Sequence, residues 1–207
     1  MAWRFQLGTL QTVSFVMQTV VSFCKMHSYC FEKHNERLVA ASGKSSFWSE
    51  PEDGTIWSVD MSNKVSFADF LRFLIAPTLV YKPRVLLRVG GTRPMYLLTQ
   101  AVLAIGLIVS EYAVVESIIL PTVVEIHELS QTWIGLSEII IRLMPGLFCL
   151  WILTWLVVFE AITNFAAELQ ALADRRFYDN WWASTDWLQF NRRWNVVVGT
   201  WLQRYVY

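Results

Sequence analysis

The residues best suited to chemistry lie in Arg176-Phe177-Tyr178-Asp179-Asn180-Trp181-Trp182-Ala183-Ser184 and its continuation Trp194-Asn195-Val196-Val197-Val198-Gly199. Rings, charges and amides crowd together there without the alternation of a half-buried strand, and with too much charge for a turn buried in lipid. The segment reads as one that builds a site at an interface. The candidates for proton transfer near neutral pH are His27, His34 and His127, the three histidines of the chain. A lone histidine at a helix end is more often a solvated or capping residue, and that reading is favoured for His27. Cys24, Cys30 and Cys149 are odd in number and lie in or beside apolar runs, which argues against a disulfide framework.

The elements that must hold this segment are those of a membrane protein. The chain has 207 residues, 55% of them hydrophobic and 11 of them Trp, with a mean hydropathy of +0.38, more apolar than an ordinary soluble domain of this size. Net charge is zero, so nothing points to nucleic acid, and charge placement matters more than its sum. Uncharged runs at 5–24, 94–110 and 143–159 approach the ~17–25 residues that cross a bilayer core. They predict an all-α, multi-span fold with crossings at about 6–24, 95–120 and 139–161. The amino-terminal run lacks a dense apolar centre and a small-residue cleavage site, so it is expected to remain uncleaved. No Asn-x-Ser/Thr sequon is present.

Basic residues cluster after the first run (Lys25, Lys33, Arg37), before the second (Lys82, Arg84, Arg88, Arg93) and after the third (Arg175, Arg176). The bias of Lys and Arg toward cytosolic loops then places the amino terminus and the loop 122–131 in the lumen. A polar loop is expected over 38–64. Ser66 and Asp69 sign the start of a short helix, 66–76, with Phe67, Phe70, Leu71 and Leu74 at helical spacing. It is too short to span and lies in the interface or packs on the bundle. Pro121 should end the second crossing, and Pro145-Gly146 should kink the third. Glu138 and Arg142 are spaced to pair. Glu160, Asn164 and Glu168 line one face, read preferentially as a helix emerging into water. Ser184 or Thr185 should cap one final helix bearing Trp187, Phe190, Trp194, Val197, Trp201 and Tyr205, lying on the membrane or plugging the bundle.

Several of these stretches resemble one family. Phe177-Tyr178-Asp179-Asn180-Trp181-Trp182-Ala183 resembles the Phe-Tyr-x-Asp-Trp-Trp-Asn signature of the sterol and diacylglycerol O-acyltransferases, a branch of the membrane-bound O-acyltransferase superfamily. Trp194-Asn195-Val196-Val197-Val198-Gly199 resembles their Trp-Asn-x-x-Val-His element, and Pro77-Thr78-Leu79-Val80-Tyr81 their Pro-Thr-Leu-x-Tyr. Asn180, Ala183 and Gly199 depart from the pattern, standing where the family has Asp, Asn and His. Lys25-Met26-His27-Ser28-Tyr29 is closer to the sterol enzymes than to their diacylglycerol counterparts, and with Val196-Val197-Val198 it favours a sterol.

The resemblance treats 1–207 as a single membrane-bound O-acyltransferase-like region of the endoplasmic reticulum membrane, matching the middle of a family enzyme, with 176–207 as a cytosolic acyl-CoA segment. It implies transfer of a fatty acyl group from acyl-CoA to a sterol hydroxyl. The alternatives are a diacylglycerol acceptor, or a non-catalytic binding or dimerisation module. Phe177, Tyr178, Trp181, Trp182 and Asn195 map onto acyl-CoA-site positions, with Asn195 the best candidate for a polar contact to the thioester or pantetheine. The family's catalytic His lies on a later helix, so no catalytic residue is assigned within the chain. A thioester is already activated, so neither cofactor nor metal is required. The expected partners are long-chain acyl-CoA, a sterol or other lipid alcohol and membrane lipids. A homo-oligomer is a candidate.

Overall fold

A computed structural model of the chain describes residues 9–42, 56–60, 67–82, 84–129 and 133–207. They form two compact units, 1–91 with 170–207, and 92–169. Ser66, the expected cap of the short helix, lies outside the described residues.

The second unit is a helical hairpin. Arg93 stands at the N-cap and Pro94 opens α3 (Pro94–Val114), where a missing N–H costs nothing. The expectation that Pro121 ends this helix is wrong, because α4 (Leu120–Leu129) continues it, and 122–129 is helix rather than loop. Proline removes a donor and crowds the carbonyl four residues back. The chain meets that demand with a wider π turn just before it, Val115–Ile119, in which the Leu120 N–H donates to the carbonyl of Val115 five residues away. Pro145 likewise lies inside α5 (Trp133–Trp155), which runs through a π segment, Leu156–Ile162, into α6 (Thr163–Leu169).

The continuous helices Pro94–Val124 and Trp133–Leu169 have a mean hydropathy of 2.0 and are long and apolar enough to cross a membrane. Leu98, Val102, Ile105, Val109, Ile141, Met144 and Phe148 all point outward. Backbone polar groups are satisfied within the helices, the arrangement hydrocarbon demands.

The two arms meet where side chains are small or paired. A Cβ at Gly146 would sit 2.9 Å from Ile118 Cγ2 and 3.2 Å from Ile119 Cγ1, so glycine lets α5 approach the π turn. Thr154 donates to Glu111 Oε1 at 2.6 Å. The expected Arg142 to Glu138 pair forms at 2.5 Å. The stripe Glu160, Asn164 and Glu168 does not emerge into water as expected, since its second and third members are buried. Asn164 is buried and donates to the Glu160 carbonyl. Glu168 is fully buried and accepts from the Arg93 backbone N–H at 2.6 Å and from its guanidinium at 3.1 Å. Position 168 faces the start of the other arm, which period alone could not reveal.

The first unit is organised on α1 (Thr9–Ser42). No Gly or Pro interrupts it, so it carries past the expected crossing and turns 38–42, assigned to a loop, into helix. Its early apolar residues Phe15, Val16, Val20 and Phe23 are exposed. Strand β1 (Ile56–Asp60) pairs antiparallel with β2 (Arg84–Arg88), in a register that sets Ser58 opposite Leu86. Both strands fall where loops were expected, because a two-stranded ribbon of five-residue strands leaves little periodic signal.

Between the strands lies α2 (Phe67–Ile75), and its apolar residues divide between two faces. Phe70 meets Tyr29 of α1 edge-on and Phe73 stacks on it, whereas Phe67, Leu71 and Ile75 are exposed. Lys25 ends it, donating to the carbonyls of Phe73, Leu74 and Ala76 at 2.6–2.9 Å. A cation at a helix C-terminus meets both the orphan carbonyls and the negative end of the dipole.

Candidate functional site

After α6 the chain turns through Ala171, whose φ is +52°, and runs alongside β2. The Arg88 N–H donates to the Ala171 carbonyl and the Ala173 N–H to that of Leu86. This edge pairing leads into 174–180, an irregular stretch with a bend at Phe177, where the Phe177 N–H donates to the Arg175 carbonyl at 3.0 Å. Two further bonds pin the signature to the junction of α7 (Trp187–Arg193) and α8 (Val196–Tyr205). The Val196 N–H donates to the Phe177 carbonyl at 3.0 Å and the Asp179 N–H to that of Arg193 at 2.8 Å.

The single final helix expected from the aromatic stripe is therefore two. Asp186, not Ser184 or Thr185, caps α7 by accepting from the Gln189 N–H at 2.7 Å, and Asn195 caps α8 by accepting from the Val198 N–H at 3.0 Å. A break at Trp194-Asn195 frees the Val196 N–H to reach the signature.

The five expected site residues divide by environment. Phe177 is 2% exposed and forms the wall of a cleft of about 220 Å³, floored by Leu79, Val80, Val196 and Val197 and rimmed by Thr78, Thr200, Lys82, Asp174 and Arg176. Asn195 directly precedes Val196 but is not among the lining residues, and its carbonyl oxygen is committed to the cap, leaving the amide Nδ2 as the end with protons to give. Tyr178 is half-buried and outside the lining. Trp181 packs edge-on against Phe190, which stacks between Trp187 and Trp194 at 5.3 and 6.1 Å. Trp182 is 62% exposed.

Charge concentrates at the rim. Lys82 Nζ donates to Asp174 Oδ2 at 2.8 Å, and Arg176 forks onto Asp179 at 2.8 and 2.6 Å. Burial pushes the Asp174 carboxyl up, but the hydrogen bond and charge of Lys82, with help from Arg176, bring it below its ordinary range. The Arg176 hydrogen bond likewise lowers Asp179. In the sequence Lys82 bears only on topology, and nothing local distinguishes Asp174 from any loop carboxylate.

The motif at 25–29 acts through other residues than His27. The Ser28 hydroxyl accepts from the Tyr81 N–H at 2.7 Å and bonds Tyr205 Oη at 2.9 Å. Glu32 is buried and takes Arg204, through Nε and through Nη2 at 2.8 Å, together with Tyr205 Oη at 2.8 Å. Burial pushes the Tyr205 phenol up to about 12. Ser28 and Glu32 thus tie the Pro-Thr-Leu-Val-Tyr turn and α8, the two sides of the cleft, to one helix. His27 is exposed, with the rings of Phe23, Phe31, Trp201 and Tyr205 around it, and His34 is exposed on the same helix. The side chain of His127 lies outside those described. Among the described residues no group of His, Cys, Asp and Glu could hold a metal ion.

Comparison with known proteins places this geometry in context. The profile described as "MBOAT, membrane-bound O-acyltransferase family" matches residues 55–207. A probable sterol O-acyltransferase 1 of Schizosaccharomyces pombe is 30% identical over 83% of the chain and 32% of its own length. Sterol O-acyltransferase 2 of Homo sapiens is 32% identical over 69% of the chain and 27% of its own length. Diacylglycerol O-acyltransferase 1-1 of Oryza sativa is 27% identical over 90% of the chain and 34% of its own length. The chain spans about a third or less of each of these relatives.

Proposed function

Since the chain belongs to the membrane-bound O-acyltransferase family, in its sterol and diacylglycerol acyltransferase branch, we propose that it forms the acyl-CoA-binding part of an acyl-CoA:sterol O-acyltransferase of the endoplasmic reticulum. The observation that carries this reading is the cleft. An apolar floor of Leu79, Val80, Phe177, Val196 and Val197 suits a pantetheine arm and the start of an acyl chain, while Lys82 and Arg176 at its rim suit a phosphorylated head. Asn195 Nδ2, one residue before the lining residue Val196, is the donor assigned to the thioester carbonyl, while Tyr178, Trp181 and Trp182, which do not line the cleft, are assigned to acyl-CoA by resemblance alone. The expected crossings at 6–24, 95–120 and 139–161, with their flanking Lys and Arg on the cytosolic side, support a cleft open to the cytosol, where acyl-CoA is found. Lys25 and Lys33 are consumed by contacts in the fold, but the charge bias acts during insertion, before those contacts exist.

Transfer needs a base for the alcohol, and the described residues that line the cleft include no histidine. Without a general base about 10²–10⁴ in rate is lost, so these 207 residues on their own bind and do not transfer. A sterol is preferred as acceptor on Met26-His27-Ser28-Tyr29 and Val196-Val197-Val198. The likeness to the rice protein keeps diacylglycerol as the alternative.

The test is to incubate the purified chain in micelles with labelled oleoyl-CoA and either cholesterol or dioleoylglycerol. Saturable oleoyl-CoA binding without ester is expected, with cholesterol and not dioleoylglycerol altering the affinity. Ester formed above a heat-killed control would return His27 and His34 to consideration. Absence of saturable binding would overturn the acyl-CoA reading.

A further inference from the structure

The two cations at the cleft rim are both occupied by carboxylates, Asp174 just before the signature segment and Asp179 within it. Lys82 holds Asp174, whose second oxygen also faces the Arg176 backbone N–H at 3.4 Å. Arg176 is gripped at both ends of its fork by Asp179. These pairs are half open to water, with side-chain exposures of 40% and 50% for Lys82 and Asp174, and 69% and 32% for Arg176 and Asp179. Exposed pairs of this kind are weak. A phosphate brings more charge and more acceptor oxygens than a carboxylate, so it competes well for the same donors.

We propose that Asp174 and Asp179 are internal counter-ions that hold Lys82 and Arg176 until the phosphates of a CoA head replace them. The proposal rests on the reading that this cleft takes acyl-CoA, and it assigns the two carboxylates the setting of affinity and selectivity. Bare cations at this rim would accept any single phosphate, including a lipid headgroup. Cations already engaged yield only to a ligand that offers several phosphates and gains further contacts from the cleft floor. Neutralising one carboxylate should therefore strengthen binding, although it removes a charge-assisted hydrogen bond seen in the fold.

The experiment measures CoA binding to the full chain in micelles by calorimetry. Asp174→Asn keeps an oxygen for the Arg176 N–H while removing the charge, and it should tighten CoA about threefold to fivefold, the scale of an exposed pair. Asp179→Asn should do the same through Arg176. In a Lys82→Ala background, Asp174→Asn should lose its benefit. If the gain is equal with or without Lys82, Asp174 acts only as a distant negative charge and the exchange is refuted. If wild type binds CoA and both Asn variants bind it equally or more weakly, the exchange is likewise refuted while the acyl-CoA reading stands. If none of the proteins binds CoA, the acyl-CoA reading fails and the proposal falls with it.

Discussion

The hairpin 92–169 and the unit built from 1–91 and 170–207 solve the same problem, satisfying polar groups in an apolar chain, by opposite means. In the hairpin, helical hydrogen bonding uses up the backbone groups locally, and side chains such as Leu98, Val102 and Ile141 face outward. Its few polar contacts, Arg93 to Glu168 and Thr154 to Glu111, tie one arm to the other. In the other unit, the groups that matter are satisfied by side chains far away in sequence. Lys25 reaches carbonyls 48–51 residues on, and Ser28 meets Tyr205 across 177. A fold of the first kind depends on close apolar packing; one of the second kind depends on individual polar residues.

The sharpest way to break that contrast is Arg204→Met. It leaves Glu32, only 4% exposed, as a buried charge without its cation, a defect that typically costs about 3–5 kcal/mol. The low end is expected because Arg204 is itself partly open to water. Detergent-denaturation curves followed by tryptophan fluorescence should show a loss of about 3 kcal/mol, and a loss under 1 kcal/mol would place the stability of this unit elsewhere.

In the hairpin the comparable defect is steric. Gly146→Leu forces atoms into space already filled by Ile118 and Ile119, and overpacking costs about 1–3 kcal/mol. Unfolding measured in the same way should lose about 2 kcal/mol. The Glu138 to Arg142 pair, half exposed, should contribute little in comparison, so Glu138→Gln serves as the control.

Apart from that control, Lys25→Met gives the smallest effect at neutral pH and the most specific signature. It removes three hydrogen bonds at the end of α2 and also the cost of burying an ammonium, leaving a net loss of about 1 kcal/mol. Burial lowers Lys25 from 10.5 to about 8. Between those values the unfolded chain binds the proton more tightly than the folded one, so stability rises as pH climbs from about 8 to 10.5. The variant should lack that rise. An identical pH profile for both proteins would show that the three carbonyls hold the charge as well as water does.

The same contrast explains what the sequence reveals. Period and hydropathy are sufficient for α3, α5 and α2, because those elements are decided by which face or length is apolar. Pro121 misleads because its cost is met by a π turn that no composition rule signals. Glu168 and Lys25 look like solvated charges until the chain brings Arg93 and the end of α2 to them. At the site, Phe177 and the segment 176–199 are legible from residue types alone. Asn195 is legible as important, but its committed atom belongs to a helix cap. Lys82 and Asp174 become a rim only when β2 draws 171–173 alongside 86–88, a pairing between segments some 85 residues apart.

The claim that the cleft beside Phe177 receives acyl-CoA is tested most directly by photocrosslinking. An oleoyl-CoA carrying a photoreactive group on the pantetheine arm, next to the thioester, is bound to the purified chain, irradiated and mapped by mass spectrometry. Label on 76–82 and 177–200, saturable and displaced by excess unlabelled oleoyl-CoA, is the expected result. Label confined to 94–169, or spread along the chain and indifferent to competitor, would contradict the account.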